Sequence, residues 1–475
     1  MHFSKVPALG ALAVALTLTA GVSQAALTRA PYLQRVGPNM ALVAFRLDAN
    51  CTPEVHYGTQ GATNQVARSA DSGRIQAVTL KGLTPGTDYT YEVLACGART
   101  PTERFTTAPV PGTRHVHFAA VGDFGTGGTD ERQVAASMLS SKLRPDLFLA
   151  LGDNAYESGT EAEIQNNLFA PLAAVLSEVP FFPVPGNHEY VTNQAQPYLD
   201  NFYLPTSSSG SQRYYSFDWG NVHFVGLDSN CAVGLASKDR CTMEAQRAWL
   251  EQDLAASKAD WKIVYFHHPP WSSGAHGSQL VMRHQFGPLF EKYGVDLVLT
   301  GHDHNYERSR PMLGDDVAPS GKRGITYLVV GGGGATLRPF DGAAPAWSVL
   351  RNATDHGYLD VDVTEGTLTA KVLTPAGKLI DSFNLTKQLG PAPQPSPGTS
   401  ETPTEPVPQP PVAQAPGTET PGTLQPPAET PSTPGDSTGL PGDAPSSAGC
   451  STFPSEIFLP LAALSLAEFL RRRRD

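Results

Sequence analysis

Five short apolar runs in this chain each end on a residue able to ligate a cation, and that recurrence limits the fold more than any other feature. Residues 115–121 run into Gly122-Asp123-Phe124-Gly125, and residues 147–151 into Gly152-Asp153-Asn154-Ala155-Tyr156. Residues 181–184 lead to Gly186-Asn187-His188-Glu189, residues 263–266 to His267-His268, and residues 295–299 to Gly301-His302-Asp303-His304. Apolar runs this short, bounded by glycine, read as buried strands. Between them, residues 131–143, 243–256 and 279–293 read as helices, and residues 214–218 and 222–228 as a strand pair. Residues 325–330 and 358–363 return to strand. Strands alternating with helices predict an α/β domain. In open α/β sheets, ligands bind beyond the carboxyl ends of the strands, where these donors stand.

Each element is weak alone. A Gly-Asp is usually a turn, and an isolated histidine usually packs or hydrogen-bonds. Together, carboxylate and imidazole donors suit first-row metal ions. Their number exceeds what one ion takes but suits two ions sharing a carboxylate. Such a pair clamps the attacking and leaving oxygens of a displacement at phosphorus.

The set GDxG, GDxxY, GNH[ED], VxxH and GHxH resembles that of the purple acid phosphatases, within the calcineurin-like metallophosphoesterases. Val264-Tyr265-Phe266-His267 is the fourth element, and the resemblance spans about residues 28–387. It implies a two-sheet αββα sandwich. It also implies a binuclear centre in which Asp123, Tyr156 and His304 bind Fe(III), Asn187, His267 and His302 bind a divalent ion (Zn, Mn or Fe), and Asp153 bridges them. Charge transfer from the Tyr156 phenolate to the ferric ion would colour the protein. The residue types agree with this split, because an anionic tyrosinate favours a trivalent ion, whereas a neutral amide with two imidazoles suits a divalent one. The expected reaction is attack of metal-bound hydroxide on phosphorus, without a phosphoenzyme.

Outside the ligands, His188 is a catalytic candidate because the matching histidine in related enzymes contacts substrate. His276, nine residues past His267, is the candidate acid. Some family members carry two adjacent histidines there, whereas Gly277 follows here. If the strand continued through His267, His268 would point the opposite way and be structural. Glu189, Asp303 and Tyr306 are candidate partners of the ligands, and Arg308 is a candidate partner of Glu307. The run Gly331 to Gly334 reads as a close-packed turn.

Residues 26–108 read as an all-β domain of short strands and turns. Leu83-Thr84-Pro85-Gly86-Thr87-Asp88-Tyr89-Thr90-Tyr91 resembles a fibronectin type III pattern, which implies a β-sandwich ahead of the catalytic domain at 113–387. Cys51 with Cys96, and Cys231 with Cys241, are the expected disulfides, and they suit an oxidising compartment. Residues 1–25 read as a signal peptide cleaved after Ala25. Many of the 42 prolines crowd residues 388–449, an extended spacer unable to bury a core. Residues 450–475, with Gly449-Cys450 ahead of an apolar run and Arg471 to Arg474, resemble the myxobacterial C-terminal sorting signal. The implied location is secreted or cell-surface, with attachment to the envelope through the tail. A net charge of −11 argues against binding to nucleic acid. Larger members of the family that the chain resembles are often dimers, so the resemblance is compatible with a dimer, but no patch of the sequence reads as an interface and the oligomeric state stays unspecified.

The leading expectation is a phosphatase acting on phosphomonoesters. A phosphodiesterase or nucleotide pyrophosphatase would use the same metals, with the loops 192–210 and 229–240 setting the difference. From another class, a surface-binding protein with a vestigial site would use the sandwich, spacer and tail.

Overall fold

The computed structural model describes residues 25–140 and 144–390. The segments expected to be a signal peptide, a proline-rich spacer and a sorting signal, with Cys450, fall almost wholly outside the described residues. Among those described, no helix is long and apolar enough to cross a membrane.

The N-terminal strands form two antiparallel sheets. Leu27–Gln34, Met40–Leu47 and Ile75–Lys81 make one. Gln65–Arg68, Glu54–Thr59, Asp88–Ala95, Ala98–Arg99 and Glu103–Thr106 make the other. Their inward residues, among them Val43, Phe45, Val55, Tyr91 and Phe105, are buried in one core. The Cys51–Cys96 disulfide, with Cα atoms 6.1 Å apart, closes a separation of 45 residues across this region.

The catalytic part is two further sheets packed face to face. One is ordered Phe181–Pro183, Leu147–Ala150, His115–Val121, Tyr358–Thr364, Thr367–Leu373, Leu379–Thr386. Its first three strands are parallel. The other is ordered Tyr215–Trp219, Val222–Gly226, Trp261–Tyr265, Leu297–Thr300, Thr326–Val330, Tyr306–Ser309, Ser348–Asn352, with the four strands from Val222–Gly226 to Thr326–Val330 parallel. Phe118 meets Phe224 edge-on at 5.2 Å, and Phe182 stacks on Phe217 at 3.9 Å, joining the sheets.

The second sheet is apolar on both faces, as expected of parallel strands covered on both sides. Phe224, Ile263, Tyr265, Leu297 and Leu299 enter the core between the sheets. Val225, Val264 and Val298, one residue out of phase, pack with Leu250, Leu254, Phe286 and Phe290 from the helices Met243–Ala256 and Leu280–Lys292. Thr129–Ser140 and Ala173–Glu178 are helices on the side of the first sheet, with Val134, Met138, Val175 and Leu176 in its core. The result is an αββα sandwich preceded by a β-sandwich.

The β-sandwich is bonded directly to the segment between Glu161 and Tyr203. Tyr91 donates to Ser177 O (2.7 Å), and Gln34 donates to Phe181 O (2.8 Å) and accepts from Tyr203 N (2.9 Å). Arg29 lies buried against the ring of Phe169 at 3.7 Å and bonds Gln165, Glu161 and Asn201. That same segment carries Asn187 and His188.

Candidate metal centre

Parallel strands from both sheets end at one edge, and the chain turns sharply there. Asp123, Asp153 and His302 stand just beyond strand ends with φ of 57°, 51° and 72°. A left-handed backbone at a residue other than glycine is uncommon and costs on the order of 1–3 kcal/mol. Three such residues at one edge turn their side chains to a common point. The neighbouring glycines leave room for this. A Cβ on Gly186 would lie 2.1 Å from Asp153 Oδ1, and one on Gly301 would lie 2.4 Å from Asp123 Oδ2.

All seven candidate donors meet there. The Tyr156 hydroxyl lies 3.3 Å from Asp123 Oδ1, 3.2 Å from Asp153 Oδ2 and 3.2 Å from His304 Nε2. His267 Nε2 lies 3.0 Å from Asn187 Oδ1, 3.3 Å from Asp153 Oδ2 and 3.2 Å from His302 Nδ1. The first group comes from the ends of the first sheet plus His304, and the second from Asn187 plus the second sheet. Asp153 Oδ2 touches both.

The chemistry of these contacts fits bound cations. His267 Nδ1–H donates to Leu151 O (2.9 Å), which leaves a lone pair on Nε2 in the neutral ring. That lone pair faces an amide oxygen, a carboxylate and another imidazole nitrogen. His304 Nδ1–H likewise donates to Thr336 O (3.0 Å), turning its Nε2 lone pair to the Tyr156 hydroxyl and, at 3.7 Å, to Asp123. Acceptors buried face to face repel unless a positive charge lies between them. Without an ion, protons do this work. Burial holds His267 down, but Asp153 outweighs it and lifts the ring to about 9. Burial pushes Asp123 and the Tyr156 phenol well up, and pushes His302 down with help from the neighbouring His267. His304 is pushed down to about 4 by burial and by Arg338. A bound cation reverses this logic by favouring ionised oxygens and neutral imidazoles.

Around the donors, Glu189 is buried and accepts from Gly186 N (2.6 Å), Asn154 N (2.8 Å) and Ala155 N (3.1 Å), tying two donor loops together. Burial and then the charge of Asp153 raise it to about 7. Asp303 accepts from Ser272 Oγ (2.5 Å) and His276 N (2.8 Å). His188 Nε2 stands 3.8 Å from Asp153 Oδ2, and its Nδ1–H donates to Glu157 O at 2.5 Å. The ring of His276 stacks on that of His302, with centroids 4.2 Å apart. Gly331 and Gly333 donate to Asn305 O (2.9 Å) and Gly122 O (3.2 Å), which makes the glycine run a close-packed turn.

Three expectations are corrected. Arg308 pairs with Asp381 at 2.6 Å, not with Glu307, which accepts from Ser273 and Ser348 instead. Tyr306 also donates to Asp381 (2.7 Å) and so supports the sheet, not a donor. The strand ends at Tyr265, so alternation does not carry through His267 and His268. His268 turns beside His302 with centroids 4.5 Å apart, anchored by Ser229 Oγ at 2.8 Å. Arg338, which donates to His276 Nε2, was not singled out from the sequence, because no motif surrounds it. Both expected disulfides form, Cys231–Cys241 with Cα atoms 5.4 Å apart.

The comparisons with known proteins agree with this geometry. The calcineurin-like phosphoesterase family model matches residues 116–306, and the iron/zinc purple acid phosphatase-like protein C model matches residues 324–382. Acid phosphatase type 7 of Mus musculus is 28% identical over 70% of this chain and 83% of its own. Probable purple acid phosphatase 20 of Arabidopsis thaliana is 29% identical over 70% of this chain and 81% of its own. The solved structure of a purple acid phosphatase from yellow lupin (Lupinus luteus) seeds superposes with a TM-score of 0.63 at 20% identity, covering 75% of this chain and 74% of that one. The chain therefore belongs to the calcineurin-like metallophosphoesterases of purple acid phosphatase type, a family of phosphoester hydrolases.

Proposed function

We propose that the protein is an exported phosphatase that hydrolyses phosphomonoesters at a binuclear centre. The observation that carries this reading is the position of Asp153, whose Oδ2 lies 3.2 Å from the Tyr156 hydroxyl and 3.3 Å from His267 Nε2, within reach of both donor groups. Asp123, Tyr156 and His304 would hold Fe(III), and Asn187, His267 and His302 a Zn, Mn or Fe divalent ion, with Asp153 shared. When bound, the two ions supply Lewis-acid charge at phosphorus and lower the pKa of a water.

The chain's own groups do the rest. The Nδ1–H bond of His188 to Glu157 orients the ring with Nε2 3.8 Å from Asp153 Oδ2, where its protonated form can contact a phosphate oxygen, while His276 is the candidate acid for the leaving alcohol. His276 covers the centre from the other side, stacked on His302. Asp303 holds the His276 loop, and Glu189 holds the two loops bearing Asp153 and Asn187. Export is supported by two disulfides in one chain, which persist in oxidising compartments.

The test is hydrolysis of p-nitrophenyl phosphate against bis(p-nitrophenyl) phosphate by the metal-replete full chain from acidic to alkaline pH, with metal content measured alongside. Preference for the monoester is expected. Preference for the diester would make the enzyme a phosphodiesterase. Absence of turnover with two ions bound would sink the phosphatase reading in favour of a binding role.

A further inference from the structure

We propose that Arg338 is a substrate-binding cation of this centre. It grips a non-bridging phosphoryl oxygen and so selects the dianion of a phosphomonoester over the monoanion of a diester. The proposal deepens the phosphatase reading above and rests on it for the identity of the substrate.

The first support is position. Arg338 follows the close-packed glycine turn, and its backbone N–H donates to His304 O at 3.0 Å. Its guanidinium donates to His276 Nε2, whose ring lies flat on that of His302. The cation is thus attached to residues on both sides of the centre.

The second support is what it lacks. Several arginines of the catalytic part are matched to carboxylates, among them Arg114 to Asp260, Arg144 to Glu178, Arg213 to Asp228, Arg308 to Asp381 and Arg323 to Asp296, whereas Arg132, Arg247, Arg310 and Arg351 donate to backbone carbonyls instead. Among the described residues, Arg338 has no carboxylate partner, and its side chain has one protein acceptor, an imidazole nitrogen. A guanidinium carries five N–H donors in a planar fork suited to phosphate oxygens. Most of that fork remains for an anion.

The third support is that the fork is held ready. Arg351 donates to Gly342 O (3.1 Å), lies over the ring of Phe340 at 4.6 Å and reaches Ser273 Oγ at 3.4 Å. It therefore ties the loop bearing Arg338 to the loop bearing His276. A donor fixed before substrate arrives loses little on binding. A monoester above pH ~6 carries a second negative charge that a diester lacks, so a fixed cation rewards the monoester more.

The test uses the metal-replete full chain with Arg338→Ala and Arg338→Lys. Titration calorimetry with inorganic phosphate at pH 7 is expected to show binding weakened about tenfold or more in Arg338→Ala and partly restored in Arg338→Lys. Metal content and melting temperature should match the wild type, and the ratio of kcat/KM for monoester over diester should fall by a similar factor. Unchanged phosphate affinity, or an equal loss for both esters, overturns the proposal. Loss of metal in both variants does so too, because it would give Arg338 a structural role. Arg338-dependent phosphate binding by a wild type that turns over neither ester would sink the phosphatase reading and leave this one standing. Monoester turnover indifferent to Arg338 would do the reverse.

Discussion

Clusters of hydrogen-bond acceptors recur among the described residues, and they differ in whether a cation of the chain fills them. Where the β-sandwich meets the catalytic part, Gln165, Glu161 and Asn201 converge on the guanidinium of Arg29, which is 2% exposed. A similar arrangement occurs in the second sheet, where His223 sits between Asp218 Oδ1 (2.7 Å) and Asp253 Oδ2 (2.8 Å). At the strand ends, Asp123, Asp153, Asn187, His267, His302 and His304 converge on one another. Burying acceptors costs free energy in each case, and a cation recovers it. Where a side chain of the chain provides the cation the cluster is structural, and the strand-end cluster is the one we propose to hold metal ions. Predictions that break or sharpen this contrast should therefore separate metal-dependent from metal-independent effects.

The largest effect is expected at the shared carboxylate. Asp153→Asn should lower kcat/KM for p-nitrophenyl phosphate about a thousandfold or more and reduce bound metal. Stripping the wild type with a chelator should lower its melting temperature, because ions that bind the folded state stabilise it by mass action. The variant's melting temperature should respond far less to the same treatment. A variant that retains full metal and activity would mean that Asp153 is not a ligand. Tyr156→Phe sharpens the same point with an optical readout. The visible absorption of the iron-loaded protein should vanish while the two disulfides persist, and a retained band would exclude tyrosine as the chromophore.

The filled clusters were the less legible ones, and the reason is physical. Donors of the centre follow directly on apolar runs, so local sequence places Asp123, Asp153, His267 and His302 at strand ends, and two parallel-strand bundles bring those ends together. Arg29 and Glu161 are 132 positions apart, and nothing local marks either as a partner of the other. The same holds for Arg308, whose nearest sequence neighbour of opposite charge, Glu307, lost to Asp381 across the sheet. On a strand, adjacent residues face opposite ways, so a neighbouring pair is a poor guess. Arg338 is not legible in the sequence because its meaning depends on stacking between His276 and His302, which no spacing encodes.

His223 offers a medium effect whose sign is fixed by pH. Burial opposes its charge, but hydrogen bonds to Asp218 and Asp253 raise it from an ordinary 6.5 to about 9. The folded state therefore holds a proton that the unfolded chain releases. Its stabilisation is fully present below pH 6.5 and is lost as pH rises through about 9, and amounts to about 3 kcal/mol. In urea titrations of the metal-loaded protein, His223→Gln should be less stable at pH 6 and approach the wild type near pH 9.5. A constant difference across that range would show that His223 is neutral in the folded protein.

The smallest effect is expected at Arg29, and it tests whether a filled cluster is structural only. Arg29→Ala removes donors from Gln165, Asn201 and Glu161, but Arg46 still reaches both Glu161 and Asn201, and Asn201 Nδ2 still donates to Glu161 at 2.7 Å. No carboxylate is left buried and bare, since the Glu161 side chain is 47% exposed. The loss should therefore be near that of one charge-assisted hydrogen bond, about 2 kcal/mol in urea unfolding, and well below the cost of stranding a buried ion. Metal content and kcat/KM of the folded variant should stay at wild-type values. A variant with wild-type stability but lowered kcat/KM would break the contrast. It would mean that Arg29, by bracing the segment that runs from Glu161 through Asn187 to Asn201, positions a donor of the centre, so that the filled cluster serves the strand-end one.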